Sequence, residues 1–274
     1  MDINAILQQL GVSTLQSCRE VFGGRDSRVY KIIAKPDVTY ALRLLPNRKG
    51  SQYDREKHLM DIAKEQKVPV PHIHSITEHD QCTSMLMDWV EGNTILAELE
   101  NHPESAYQIG LQFGQVHALI HRIEQPSDYK SSMDWLTPSK QEANILAIIP
   151  QEKVTPRLIH LDYHPLNVLT DGEHITGVID WNNASFGDIR LDIARTYSII
   201  QLNGKNHFRH KPNVMAQFQK GWMDGYEKFG TSISSMQNLK LFNAWAGQRM
   251  LRDLDNHLSE QQQAEIEKWI SQFL

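Results

Sequence analysis

Only two cysteines, Cys18 and Cys82, occur in the 274 residues, too few for a disulfide framework and not spaced as a CxxC metal pair. Both read as small hydrophobes for a core. Long apolar runs are missing too, so no stretch has the length of a membrane span, and no membrane partner is expected. The opening MDINAILQQLGVS has an early Asp and no basic region, unlike a signal peptide, which makes the cytoplasm the expected address. There is no basic stripe: the formal net charge is −5. Lys and Arg neutralising phosphates supply most non-specific nucleic-acid affinity, so no nucleic-acid partner is expected. Internal repeats and low-complexity segments are absent as well.

What is present is an ordinary globular composition, 40% hydrophobic and 22% charged, enough for one large domain or two modest lobes. The texture changes along the chain. From Val21 to Val90 short β-like runs, VYKII, YALRLL and SMLMDWV, are broken by turns and by one helical stretch, DREKHLMDIAKEQ. After Gly92 the pattern is helical: ESAYQIGLQFGQVHALIHRIE puts Ile109, Phe113, Val116 and Ile120 on one face, and 212–229, 234–256 and 261–273 are also helix-like. The helices are interrupted by a loop and hairpin over 157–181, where TDGEH supplies an Asp-Gly turn between VLT and ITGVID. This predicts an α+β protein, with residues 1–91 as an antiparallel sheet with one helix and residues 92–274 as a larger, mainly α-helical part.

Residues 160–167 read HLDYHPLN, and GVIDW follows at 177–181. The net charge of residues 161–199 is −4, the most acidic stretch per residue. Clustered carboxylates suit a hard cation such as Mg²⁺. Phosphoryl transfer from a nucleotide needs oxygen ligands for Mg²⁺, a group that orients or deprotonates the attacking hydroxyl, and donors around the phosphates. Asp162, in a loop before a short strand, can take the hydroxyl; Asn167 and Asp180 offer a neutral and a charged oxygen for the metal.

His160, Asp162 and Asn167 resemble the HxDxxxxN loop of the aminoglycoside phosphotransferase and choline kinase group, within the protein-kinase-like bilobal fold. Ile179-Asp180-Trp181 resembles the group's metal-binding equivalent of DFG. The resemblance runs in order from about residue 20 to 200. Gly23, Gly24 and Ser27 resemble the phosphate-covering turn, Glu56 the helix glutamate, SMLMDWVEG the adenine-holding hinge, and FGDIRLDIAR the segment after the metal-binding aspartate. It implies an N-terminal nucleotide-binding lobe (1–91) and a C-terminal catalytic and substrate-binding lobe (92–274). By the same resemblance Asp162 is the catalytic residue, Asn167 and Asp180 bind Mg²⁺, and Gly23, Gly24, Ser27, Arg43, Glu56, Asp88 and Val90 hold the nucleotide, ATP or else GTP. His160 is expected to hold the loop.

Arg43 departs from the pattern, because kinases keep a Lys at this place that contacts phosphates and pairs with the helix Glu. Arg can bind carboxylate and phosphate bidentately and can fill both roles. His164 stands where kinases acting on Ser or Thr carry a Lys, and no long activation segment follows Asp180. Both features point to a small-molecule hydroxyl as acceptor. Residues 200–274 carry a net charge of +2, which weighs against a pocket built for a polycation. Trp222, Tyr226 and Trp245 read as core, with an aromatic wall as the other option, and Glu227, Asp253 and Asp255 remain candidate acceptor carboxylates. The contrasting reading is a nucleotide-binding pseudokinase that serves as a regulatory or scaffold module.

Overall fold

In the computed structural model, residues 2–12, 14–21, 27–46, 51–79, 81–129, 137–150, 152–254 and 257–274 are described. The chain divides into two compact units, residues 1–91 with 176–182, and residues 92–175 with 183–274.

The first unit is built on a five-stranded antiparallel sheet in the order β1-β2-β3-β5-β4, with strands Leu15–Val21, Arg28–Ala34, Val38–Pro46, Ile73–Glu78 (β4) and Cys82–Asp88 (β5). Alternation decides its faces. Tyr30, Ile32 and Ala34 of β2 and Leu42 and Leu44 of β3 form one buried face with Ile6 and Leu7 of helix α1 (Ile3–Gln9) and with Leu10, which caps it. Arg43 falls between Leu42 and Leu44 and therefore points to the opposite face, where helix α2 (Ser51–Glu65) lies. On α2, Tyr53, Glu56, Leu59, Met60 and Ala63 are all buried, a helical stripe into which one carboxylate has been set. The expectation that both cysteines are buried fails for Cys18. It sits on β1, an edge strand whose residues are mostly exposed, while Cys82 lies in the core.

Residues 176–182 depart from the continuous 92–274 lobe expected from the sequence. The Val178 amide donates to the Pro69 carbonyl (2.7 Å), the Trp181 amide donates to Glu56 Oε1 (3.2 Å), and the Arg55 guanidinium donates to the Asn182 carbonyl. Gly177 lies so close to Val90 that an added Cβ would stand 2.8 Å from Val90 Cγ1. Main-chain hydrogen bonds of this kind are decided by tertiary approach, which alternation of residue types does not encode.

The second unit contains strands Asn93–Thr94 (β6), Arg157–Ile159 (β7), Val168–Thr170 (β8) and Ser185–Gly187 (β10), and helices Ile95–Asn101 (α3), Ala106–His121 (α4), Lys140–Ile148 (α5), Ile189–Ile199 (α6), Lys205–His207 (α7), Pro212–Glu227 (α8), Leu239–Leu254 (α9) and Glu260–Ser271 (α10). Strand β9 (Ile175–Val178) is the point at which the chain passes to the first unit. A π-helical turn, Ile200–Gly204, extends α6. Helix α5 starts on a capping box in which Ser139 accepts from the Glu142 amide and Glu142 accepts from the Ser139 amide.

Helices α4 and α8 approach backbone to backbone at four glycines. Gly110 and Gly114 face the carbonyls of Phe218 and Trp222, and Gly221 and Gly225 face those of Tyr107 and Leu111. A methyl group on Gly114 would also stand 2.6 Å from the Tyr226 amide nitrogen. Backbone cannot yield there, so Gly114→Ala should destabilise the protein by about 2 kcal/mol or more through overpacking. Urea unfolding of the variant checks this; an unchanged midpoint would mean that the helices separate at little cost.

Candidate active site

Each unit gathers its own set of the residues singled out from the sequence. In the first, Arg43 Nη1 lies 2.6 Å from Glu56 Oε1 and Arg43 Nη2 lies 3.4 Å from Asp180 Oδ1. Glu56 is fully buried and Arg43 nearly so, whereas the Asp180 side chain is 41% exposed. Burial disfavours the Arg43 cation, but the Glu56 and Asp180 carboxylates outweigh it and raise its pKa above the ordinary arginine value. Glu56 Oε1 also accepts from the Trp181 amide, so one carboxylate fixes both the cation and the backbone beside Asp180. Asp180 itself has φ +63°, a left-handed conformation that costs a non-glycine residue about 1–3 kcal/mol and persists only where its surroundings hold it.

Ser27 lies half-buried just before β2; Gly23 and Gly24 lie outside the described residues. At the end of β5, the Asp88 amide donates to the His72 carbonyl (2.9 Å), and its carboxylate accepts from the His72 amide and meets His74 Nε2 at 2.7 Å. The Asp88 carboxylate and amide are thus committed toward β4. Val90 is half-buried and packs against Gly177.

In the second unit, pairing of β7 with β10 and of β6 with β8 fixes both ends of the loop that carries HLDYHPLN. Asp162 Oδ2 and the Asp162 carbonyl both accept from Asn167 Nδ2 at 3.0 Å. Asn167 thus spends its side-chain nitrogen on the loop. His164 Nδ1 accepts from the Leu166 amide (3.3 Å), and its Nε2 lies 3.4 Å from Asp162 Oδ1 and 3.3 Å from Asn167 Nδ2. Burial alone would favour protonation of Asp162. The His164 ring and the Arg195 guanidinium reverse that and hold its carboxyl well below the usual aspartate range.

His160 is fully buried, and its Nδ1 accepts from the Asp162 amide at 3.3 Å. Asp192 on α6 accepts from the amides of His160 (2.7 Å) and Leu161 (2.8 Å). Asp188 caps α6 by accepting from the Arg190 amide, which sets where Asp192 and Arg195 emerge. These two are three residues apart, on one helix face, and both grip the loop: Arg195 Nε donates to the Leu161 carbonyl at 3.1 Å. Leu161 has φ +62°.

Two histidines of α4, His117 and His121, belong to a network that the sequence did not reveal. His121 Nε2 lies 3.0 Å and His117 Nε2 3.3 Å from Asp192 Oδ2; His117 Nδ1 accepts from Trp222 Nε1, and His121 Nδ1 meets the Tyr226 hydroxyl. Among the described residues His117, His121 and Asp192 bring three ligand-type atoms within 4.8 Å of one another. Their other ring nitrogens and the second carboxylate oxygen are already hydrogen-bonded, so the cluster reads as a hydrogen-bonded hub. Two His at i and i+4 on an apolar helix face were the available signal. Trp222, Tyr226 and Trp245 are buried, which makes them core. Glu227 is exposed, Asp253 pairs with Arg195, and Asp255 lies outside the described residues.

A five-stranded antiparallel sheet with one long helix, a helical second unit, and an aspartate-to-asparagine loop held by a buried carboxylate together define a small-molecule kinase. The chain belongs to the phosphotransferase enzyme family, whose model matches residues 17–229. A probable ketoamine kinase of Enterococcus faecium is 25% identical, over 82% of this chain and 88% of its own. Among solved structures, aminoglycoside phosphotransferase APH(4)-Ia superposes with a TM-score of 0.67 at 16% identity, covering 99% of this chain and 96% of that one. A putative fructosamine-3-kinase from Haemophilus somnus gives 0.63 at 13% identity, with coverage of 99% and 96%. A thermostable mutant of APH(4)-Ia, in ternary complex with AMP-PNP and hygromycin B, matches with a TM-score of 0.67 at 16% identity over 98% of this chain and 96% of that chain. Among the described residues no helix is long and apolar enough to cross a membrane.

Burial, and then the neighbouring His121, lower the His117 pKa to about 4. The unfolded chain therefore binds a proton between pH 4 and the ordinary histidine value near 6.5 that the folded chain refuses. Stability from this group is complete above about pH 6.5 and lost as pH falls toward 4, by up to roughly 3 kcal/mol. Urea unfolding at pH 7 and pH 4.5 should show a smaller acid loss for His117→Asn than for the parent protein. Equal losses would mean that His117 protonates normally in the fold.

Proposed function

We propose that this protein moves the γ-phosphate of ATP, with GTP as the alternative donor, to a hydroxyl of a small amine-bearing sugar or amino alcohol. The observation that carries the reading is the Asp162 carboxylate, ionised, partly exposed and oriented by Asn167 and His164. A carboxylate held so far below the usual range is a weak base. Its work is to accept a hydrogen bond from the acceptor hydroxyl, aim the oxygen, and take the proton late in the transfer.

Asn167 and Asp180 contribute an amide oxygen and a carboxylate, hard donors of the kind Mg²⁺ prefers, and the orientation of the Asn167 amide leaves its oxygen available for that role. Bound Mg²⁺ would offset phosphate charge and orient the transferred group. Arg43 is the phosphate-side cation, oriented by Glu56. Gly23, Gly24 and Ser27 are the residues assigned to the phosphates. Because the Asp88 amide is used by His72, the adenine contact assigned to Asp88 falls to its carbonyl, with the Val90 amide as the matching donor. Residues 1–91 with 176–182 act as the nucleotide-binding part, and the rest of 92–274 acts as the catalytic and acceptor-binding one.

The 25% identical relative named as a probable ketoamine kinase supports this acceptor class. A ketoamine has both a sugar hydroxyl and an amine. The intact set of Asp162, Asn167 and Asp180 favours a working phosphotransferase over the pseudokinase reading, in which loss of a metal ligand is expected.

ADP release with Mg²⁺ and ATP or GTP, measured across ketoamines, amino sugars, amino alcohols, nucleosides and plain sugars, should show acceptor-dependent turnover, strongest with a ketoamine or amino sugar. Failure of every acceptor would sink the reading in favour of a regulatory nucleotide binder. Asp162→Ala should lower kcat by about 10²–10⁴-fold. Nucleotide affinity, read by calorimetry, should stay close to that of the parent protein; wild-type turnover by this variant would remove Asp162 from the mechanism.

A further inference from the structure

We infer that Arg195 is a positioning residue for Asp162 and that Asp253, on α9, holds its guanidinium at working distance; the inference rests on the kinase reading above. Each guanidinium nitrogen has an oxygen nearby, through a hydrogen bond at Nε and ion-pair distances at Nη1 and Nη2. Nε donates to the Leu161 carbonyl at 3.1 Å, Nη1 lies 3.0 Å from Asp253 Oδ2, and Nη2 lies 3.7 Å from Asp162 Oδ1. The side chain of Arg195 is only 6% exposed, so these contacts act in a poorly screened setting, while Asp162 and Asp253 are each 24% exposed.

The distances carry the argument. A guanidinium alone beside a carboxylate closes into a fork with two short hydrogen bonds. Such a fork on Asp162 would occupy the oxygens that the acceptor hydroxyl needs. Here the shorter ion pair goes to Asp253, and the planar group, anchored at Nε by the loop backbone, stays further from Asp162. The cation still stabilises the ionised carboxylate across the gap. Asp253 lies beyond residues 17–229, the segment matched by the family model, so this contact comes from a part of the chain outside that match. The groups facing Asp162 are His160 and His164 from its own loop, Asn167, Arg195 from α6 and, across Arg195, Asp253 from α9; Arg252, the residue before Asp253, pairs with Glu142.

Asp253→Asn, Arg195→Gln and the double variant form the test, with Arg195→Lys kept in case the Gln variant folds poorly. Asp253→Asn should lower kcat at least tenfold and leave the KM for nucleotide within twofold, because the guanidinium then closes on Asp162. In the Arg195→Gln background Asp253→Asn should change kcat less than twofold, since Asp253 acts only through Arg195. Hydrogen exchange supplies a readout independent of turnover: peptides spanning 160–167 should exchange at least fivefold faster in Arg195→Gln or Arg195→Lys, with β2 and β3 unchanged. Wild-type kcat in Asp253→Asn, full additivity in the double variant, or unchanged loop exchange would overturn the inference. If the parent protein phosphorylates no acceptor, the kinase reading fails, and loop exchange alone decides whether Arg195 positions the loop.

Discussion

The Asp192 carboxylate is the constraint on which the second unit depends. It is fully buried, yet it stays ionised: burial works against the charge, but hydrogen bonds from His117 and His121 hold its pKa well below the aspartate range. Its oxygens collect the amides of His160 and Leu161 together with the two imidazoles. An unpaired buried carboxylate would cost several kcal/mol, so the loop, α4 and α6 must all be in place for the charge to be tolerated. The α4–α8 crossing belongs to the same requirement. Trp222 and Tyr226 reach His117 and His121 only because glycines let the two helices approach backbone to backbone.

The first unit meets a similar problem with different parts. Glu56 is its buried carboxylate, and Arg43 and the Trp181 amide are its donors. In both units a non-glycine residue with positive φ sits beside the buried anion, Asp180 at +63° and Leu161 at +62°. Residues in that conformation are held by over-determined surroundings, and here the surroundings are the hydrogen bonds to the anion. Asp180 and Asp162, the latter adjacent to Leu161, are the two acidic residues the sequence reading had assigned to chemistry. Buried carboxylates thus convert packing energy into fixed backbone direction at both places.

Part of this was legible in the chain. HLDYHPLN and IDW are polar residues at intervals no core requires, and the alternation in VYKII and YALRLL was enough to set Arg43 on the face opposite Leu42 and Leu44. Other parts had local signals that were passed over: Ser139 and Glu142 spell a capping box at the start of α5, and His117 and His121 share an apolar helix face. Cys18 was misjudged because residue type was weighed without strand position; an edge strand exposes what a central strand would bury. The return of 176–182 to the first unit and the Arg195–Asp253 contact had no local signal. Both depend on partners dozens of residues away, chosen by backbone hydrogen bonds and by the packing of α9.

Arginine in place of lysine at position 43 becomes intelligible in these terms. A lysine ammonium is a point charge on a flexible stem, whereas the guanidinium is a rigid fork with separated donors. At position 43 one arm of the fork is committed to Glu56 and the other reaches Asp180. The same cation therefore reports to α2 and to the segment 176–182, which must fold back onto the sheet for the pairing to exist. Arg195 uses the same geometry between Asp162 and Asp253. In both clusters an arginine spans two carboxylates, one that anchors it and one whose exposed oxygen is assigned to chemistry. The choice of arginine is thus a way of setting distance as well as charge, since a fork fixed at one end cannot close fully on the carboxylate at the other.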